Sequence, residues 1–102
     1  MTLVGSDDQA AAIGEGAQRG QVLAVACGLS RDLANCPPAH LTAVAMAAVA
    51  ERLGASSGLG VEVFDQQALV ELGCGGLLGV NAGSSDEARM IKLTYRPAGE
   101  PT

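Results

Sequence analysis

Apolar residues in the first third of the chain recur at three- and four-residue intervals, at Val22, Ala26, Leu29 and Leu33. This spacing places them on one face of an α-helix. We expect the helix to begin near Ser6 or Asp7 and to end near Asn35, with Ser6, Asp7 and Asp8 available to cap its start. Glycine is a poor helix former, so the glycines in the first half of this helix predict a break near Gly20.

Two consecutive prolines, Pro37 and Pro38, give the clearest stop signal in the sequence. They remove two backbone donors and favour an extended conformation at the residue before them. A second helix is predicted from its N-cap at Thr42 to Leu53, with Gly54 as the left-handed residue that ends it.

Shorter elements follow the second helix. Val61–Phe64 has the composition of a strand, and Asp65 is suited to cap a helix over Gln66–Leu72. Gly73 is placed to terminate that helix, and the apolar run Leu77–Val80 predicts a second strand.

The last predicted element, Met90–Arg96, alternates between apolar and polar residues. That period of two indicates a strand with one face toward solvent, the apolar face carrying Ile91, Leu93 and Tyr95. The predicted class is therefore α/β: two helices followed by a small mixed β-α-β-β sheet. Its first two strands would be parallel and its last antiparallel, an incomplete layer.

Composition limits the possible partners. The chain has 102 residues, a net charge of −5, one lysine (Lys92) and two aromatic residues (Phe64 and Tyr95). A nucleic-acid surface needs clustered cations and stacking aromatics, so nucleic acid is excluded as an expected partner. No apolar run approaches the roughly 20 residues that cross a bilayer, and the acidic start does not resemble a signal peptide. We therefore expect a cytoplasmic protein.

The thiols and the imidazole do not form a recognisable metal motif. Cys27, Cys36 and Cys74 lack CxxC spacing, and one histidine, His40, does not complete a zinc set. A Cys74–His40 nucleophile pair has no evident third group to orient it. Buried thiols in a reducing compartment are the favoured interpretation.

Three other stretches invite a functional hypothesis. The glycine-rich stretch from Gly73–Gly76 through Gly79 to Gly83 and Ser84 could approach a phosphate, but it lacks the established phosphate-loop spacings and favours tight-turn geometry. Ser84–Glu87 lacks the spaced ligands of a calcium loop, which favours a solvated turn. Arg31 and Asp32 are interpreted as a salt-bridging surface or interdomain pair.

Residues 31–42, RDLANCPPAHLT, resemble the ARDL-N-PP segment of the leucyl aminopeptidase (cytosol aminopeptidase) family. Residues 69–80 are similar to the family's ELGMGALLGV segment, and residues 83–95 to its GQGS…LIVLEY segment. Asn81 and Ala82 stand where the family usually has Gly-Gln. The resemblance extends over roughly residues 21 to 96, and its motif positions are Arg31, Asp32, Asn35, Pro37, Pro38, Gly73, Gly75, Gly83 and Ser84.

The resemblance implies a linker-helix region at residues 1–36 and, at 37–102, the N-terminal portion of a three-layer αβα catalytic domain. Family members are hexameric two-metal exopeptidases that use Zn or Mn to remove N-terminal residues from peptides. Their GKGITFDTGG and NTDAEGRL segments, which hold the metal ligands, do not occur here. No catalytic or metal residue can be assigned, and we expect this chain alone to be inactive without the remaining catalytic domain.

A second hypothesis is a free-standing α/β module that binds a protein partner. The small, uncovered sheet and the scarcity of aromatic residues favour it. A peptidase of a different mechanism is a third alternative, although no nucleophile–base pair is visible.

Overall fold

The computed structural model describes residues 2–97. The chain separates into two compact units, residues 1–36 and residues 37–102. Residues 98–102, which fall in the predicted catalytic-domain portion, lie outside the described residues.

The first unit is a single long helix, α1 (Ala10–Asn35), preceded by a 3-10 turn at Asp7–Gln9. The predicted capping of this helix by the side chains of Ser6 and Asp8 is wrong. The N-cap residue is Gln9, which makes no side-chain capping bond, and its N–H donates to the Ser6 carbonyl at 3.0 Å. The side chain of Asp7 lies outside the described part.

The predicted break near Gly20 is also wrong, because α1 continues through it. A glycine in a helix costs roughly 1 kcal/mol relative to alanine, which weakens a helix without interrupting its hydrogen bonds. The end of the helix is confirmed. Cys36 is extended (φ −69°, ψ 127°) before the prolines, and its N–H donates to the Leu33 carbonyl at 3.3 Å. No residue of α1 is fully buried.

The second unit begins with α2 (Ala43–Ser57). Its predicted N-cap is confirmed, since the Thr42 hydroxyl accepts from Ala45 N–H at 3.2 Å. Its predicted end at Gly54 is wrong: the helix runs to Ser57, and Gly58 adopts the left-handed conformation (φ 69°). Gly54 is instead a buried packing position. A methyl group there would overlap Val61 Cγ2 and lie 3.2 Å from the Leu59 carbonyl oxygen.

Two strands, β1 (Gly60–Phe64) and β2 (Met90–Thr94), form an antiparallel pair. The register places Val61 opposite Leu93, Glu62 opposite Lys92 and Val63 opposite Ile91. Because side chains alternate between faces, the apolar pairs share one face and the charged pair lies on the other. Val61 packs on Gly54, so α2 covers the apolar face.

Two short helices connect the strands. Helix α3 (Gln66–Glu71) has the predicted cap, an Asp65 carboxylate oxygen that accepts from Ala68 N–H at 2.9 Å. Gly73 has φ 72°, as expected of a terminating glycine.

The predicted strand Leu77–Val80 is wrong, because these residues lie in α4 (Gly75–Asn81). A four-residue apolar run carries no periodicity that separates strand from helix, and the adjoining turn starts a helix by directing Leu78 N–H to the Cys74 carbonyl at 3.1 Å. The predicted parallel pair is therefore also wrong. The α/β class is confirmed, with a sheet of two strands in the described part of the chain.

The core of the second unit is small. Four apolar residues are buried among the described residues, and Leu69 of α3 is the largest of them. The others are Ala47 and Ala50 of α2 and Ala88, which immediately precedes Arg89 and β2. The core therefore joins α2, α3 and the segment that leads into β2.

Candidate functional site

The predicted motif residues of the first unit lie at the end of α1. Arg31, Asp32 and Asn35 are all exposed. Neither Arg31 nor Asp32 forms an ion pair with any residue in the range 2–97, so no salt bridge between them is present there. Their exposure leaves all three side chains accessible within this unit.

The proline pair begins the second unit and forms a turn. Pro37 and Pro38 are exposed, and the Pro37 carbonyl accepts from His40 N–H at 2.9 Å and Leu41 N–H at 3.0 Å. This turn delivers the chain to the Thr42 cap. Pro37 and Pro38 therefore act on backbone geometry, which is the role the sequence predicted.

The glycine-rich segment between α3 and α4 is a tight turn whose amides are already engaged. Gly73 N–H donates to the Val70 carbonyl (3.0 Å), Cys74 N–H to the Leu69 carbonyl (2.9 Å) and Gly75 N–H to the Gly73 carbonyl (2.8 Å). A phosphate cradle needs amides that point outward without internal partners. The tight-turn interpretation is confirmed for Gly73 and Cys74 but is wrong for Gly75, Gly76 and Gly79, which lie in α4. The three donors named here are not free to bind a phosphate.

The loop after α4 holds itself in place with short-range hydrogen bonds. Asn81 Nδ2 donates to the Asp86 carbonyl at 2.9 Å, Asp86 N–H donates to Ser84 Oγ at 3.1 Å, and Ser84 N–H donates to the Asn81 carbonyl at 2.9 Å. Gly83 lies within this ring of hydrogen bonds and is exposed. Gly83 and Ser84 thus belong to a closed turn, as predicted for a solvated loop.

A longer contact ties the same loop to α3. Gln66 Oε1 accepts from Ala88 N–H at 3.2 Å, across 22 positions of sequence. Beside it, the Arg89 guanidinium pairs with Glu87 at 2.9 Å and donates to the Ala88 carbonyl at 2.9 Å. These contacts fix the path of the chain into β2.

A cavity of about 410 Å³ lies between α3, α4 and this loop. Its lining combines the apolar side chains of Val70 and Leu78 with the polar side chains of Gln66, Asn81, Ser84, Ser85, Asp86 and Glu87. The lining contains no cysteine, histidine or lysine; its candidate nucleophiles are the hydroxyls of Ser84 and Ser85, and Ser84 Oγ already accepts from Asp86 N–H. The cavity can hold water or a small polar group, and among the described residues no hydrogen bond joins either serine hydroxyl to a carboxylate oxygen.

The thiols and the imidazole do not assemble into a site. Cys27 is exposed, contrary to the expectation of buried thiols, because α1 buries no residue. Cys36 and Cys74 are half-buried, and His40 is exposed. No three His, Cys, Asp or Glu side chains within residues 2–97 are placed to hold a metal ion. A two-metal centre needs several convergent carboxylates, so the described residues do not fit the centre that the family resemblance implies.

Three structurally important residues had no recognised signal in the sequence. Gln66 and Asn81 anchor the loop, and Gly54 sets the approach of α2 to β1. Asn81 stands at one of the positions where the sequence departs from the family pattern, which is the only hint that its side chain has a local role. The hydrogen bond of Gln66 depends on a residue 22 positions away, which local patterns do not reveal.

None of the helices described for residues 2–97 combines the length and apolar character needed to traverse a bilayer.

Comparison with known proteins identifies the group to which the chain belongs. Residues 28–102 match the model of the cytosol aminopeptidase family, catalytic domain. The chain is 39% identical over 100 residues to a probable cytosol aminopeptidase of Chlorobaculum tepidum, covering 98% of this chain and 20% of that protein.

Two further relatives, also named probable cytosol aminopeptidases, match over a shorter span. The protein of Mycobacterium ulcerans is 47% identical over 77 residues, 76% of this chain and 15% of its own length. The protein of Solibacter usitatus is 48% identical over 80 residues, 78% of this chain and 17% of its own length. No solved structure matches. The chain spans a fifth or less of the length of these relatives, and with its family match over residues 28–102 it belongs to the cytosol aminopeptidase family.

Proposed function

We propose that this chain is a non-catalytic scaffold of a metal-dependent aminopeptidase catalytic domain. The observation that carries the proposal is a contrast: residues 28–102 match the family's catalytic domain, yet the described residues contain no convergent metal-binding group. In the proposed enzyme the two divalent ions, Zn or Mn, and the peptide substrate are held by segments other than this one. The scaffold supplies α2, β1 and β2 as a platform.

Exposed apolar side chains support a scaffold that packs against further protein. The apolar face of the sheet is half-buried at Val61 and Val63, but Leu93 is 52% exposed, and Tyr95, which follows the end of β2, is 72% exposed. Burying apolar surface stabilises a fold by roughly 25 cal/mol per Å². Additional protein over β2 would therefore stabilise this unit, and the remaining catalytic domain is the proposed source.

The first unit has a separate proposed role. Its α1 helix is 26 residues long and buries none of them, and it ends in an extended residue before two prolines. A long helix that ends at a fixed joint suits a connector between domains, so we propose that residues 1–36 are the linker region and residues 37–102 the start of the catalytic domain. The relatives' name supports the cytoplasm as the proposed location, and a hexamer is the proposed assembly of the whole enzyme.

Complementation in trans tests the scaffold role. The segment of the Solibacter usitatus relative that aligns with this chain is deleted, and the purified remainder is mixed with this chain and Mn²⁺ or Zn²⁺. We expect leucine amide hydrolysis from the mixture and none from either part alone. A mixture that stays inactive while the intact relative is active would contradict the proposal.

A matched pair of variants makes the complementation specific. L69D places an uncompensated charge in the core and should abolish complementation, because burying an unpaired carboxylate is strongly unfavourable. V70D alters the neighbouring side chain, which is 62% exposed, and should leave the chain folded. If L69D complements as well as V70D, the folded second unit is not what restores activity.

The rival function is a self-contained interaction module. It is favoured by the internal hydrogen bonds of residues 65–88, which hold this segment without an outside partner. Thermal unfolding separates the two functions: a module melts cooperatively as a monodisperse monomer, whereas a scaffold is stabilised when the complementary catalytic segment is added.

A further inference from the structure

We draw no further inference here: the strongest candidate, the apolar cavity of about 380 Å³ between the start of α2, α4 and Arg89, carries nothing, because the Arg89 guanidinium is already paired with Glu87 and nothing in the structure shows what covers the exposed Val80 in its lining.

Discussion

Gly54 shows how a single position sets the distance between a helix and a strand. It lies inside α2, is buried, and faces Val61 of β1 with no room for a methyl group. The sequence predicts a terminator here because glycine commonly ends helices. Its actual role depends on a residue seven positions later, in another element. That dependence is tertiary, so a local pattern does not contain it.

Replacing Gly54 with alanine is expected to destabilise the second unit by about 1–3 kcal/mol, although alanine favours helices, because the new methyl group overlaps Val61 Cγ2. Urea unfolding followed by circular dichroism measures the change. G20A is the control, since nothing lies within 4 Å of that position in α1, and it should stabilise α1 by up to about 1 kcal/mol. The double variant G54A/V61A should lose less stability than the sum of the losses measured for the two single variants, because V61A removes the methyl group that the new alanine overlaps. A loss equal to that sum would refute the overlap.

Leu69 holds the centre of the small core and is completely buried. L69A is expected to cost about 2–5 kcal/mol in the free energy of unfolding, through lost burial and a residual cavity. The neighbouring V70A, at a side chain 62% exposed, should change stability by less than about 0.5 kcal/mol. Chemical denaturation of both variants checks this, and equal losses would mean that Leu69 does not carry the core.

At the level of elements, the starts of α2 and α3 could be predicted from sequence, whereas the start of α1 and the identity of α4 could not. Thr42 and Asp65 cap α2 and α3 as expected, because a cap is a contact with a backbone amide only three residues away. The apolar run Leu77–Val80 forms a helix instead of the predicted strand, since a run of four residues fits either conformation. Prediction of the candidate site had the same limit. Pro37, Pro38 and Gly73 affect the backbone next to them, so their roles could be predicted, whereas the hydrogen bond from Ala88 N–H to Gln66 could not.

The capping role of Asp65 gives a test at this scale. D65A should destabilise the second unit by about 0.5–2 kcal/mol, because Ala68 N–H loses its acceptor, while D65N keeps an acceptor oxygen and should cost less. Thermal melts of the two variants report the difference. Equal losses for alanine and asparagine would show that the cap is unimportant.

Helix α4 gives a second test of an element. Gly76 and Gly79 lie within it, with open space around each and no positive φ. G76A and G79A should each stabilise the second unit by up to about 1 kcal/mol and raise the helical signal at 222 nm. A strand over the same residues would also be stabilised by alanine, so the signal at 222 nm is the discriminating readout, and a signal that does not rise would contradict the helix.

At the level of the whole molecule, the sequence match identifies the family, whereas the arrangement of the described side chains determines which chemistry the chain can support. Residues 28–102 match the catalytic domain of the cytosol aminopeptidase family, and the described part of this chain lacks a group that could hold the family's metal ions. The small core, the exposed Leu93 and Tyr95, and the two open strand edges fit a unit that gains stability from added protein. The proposed scaffold role joins these observations.

The most direct test of that role is the rate of leucine amide hydrolysis, measured for the pure chain with Mn²⁺ or Zn²⁺ and again after adding the relative's complementary segment. The account predicts no metal-dependent hydrolysis by the pure chain and clear hydrolysis by the mixture. Metal-dependent release of leucine by the pure chain would contradict it.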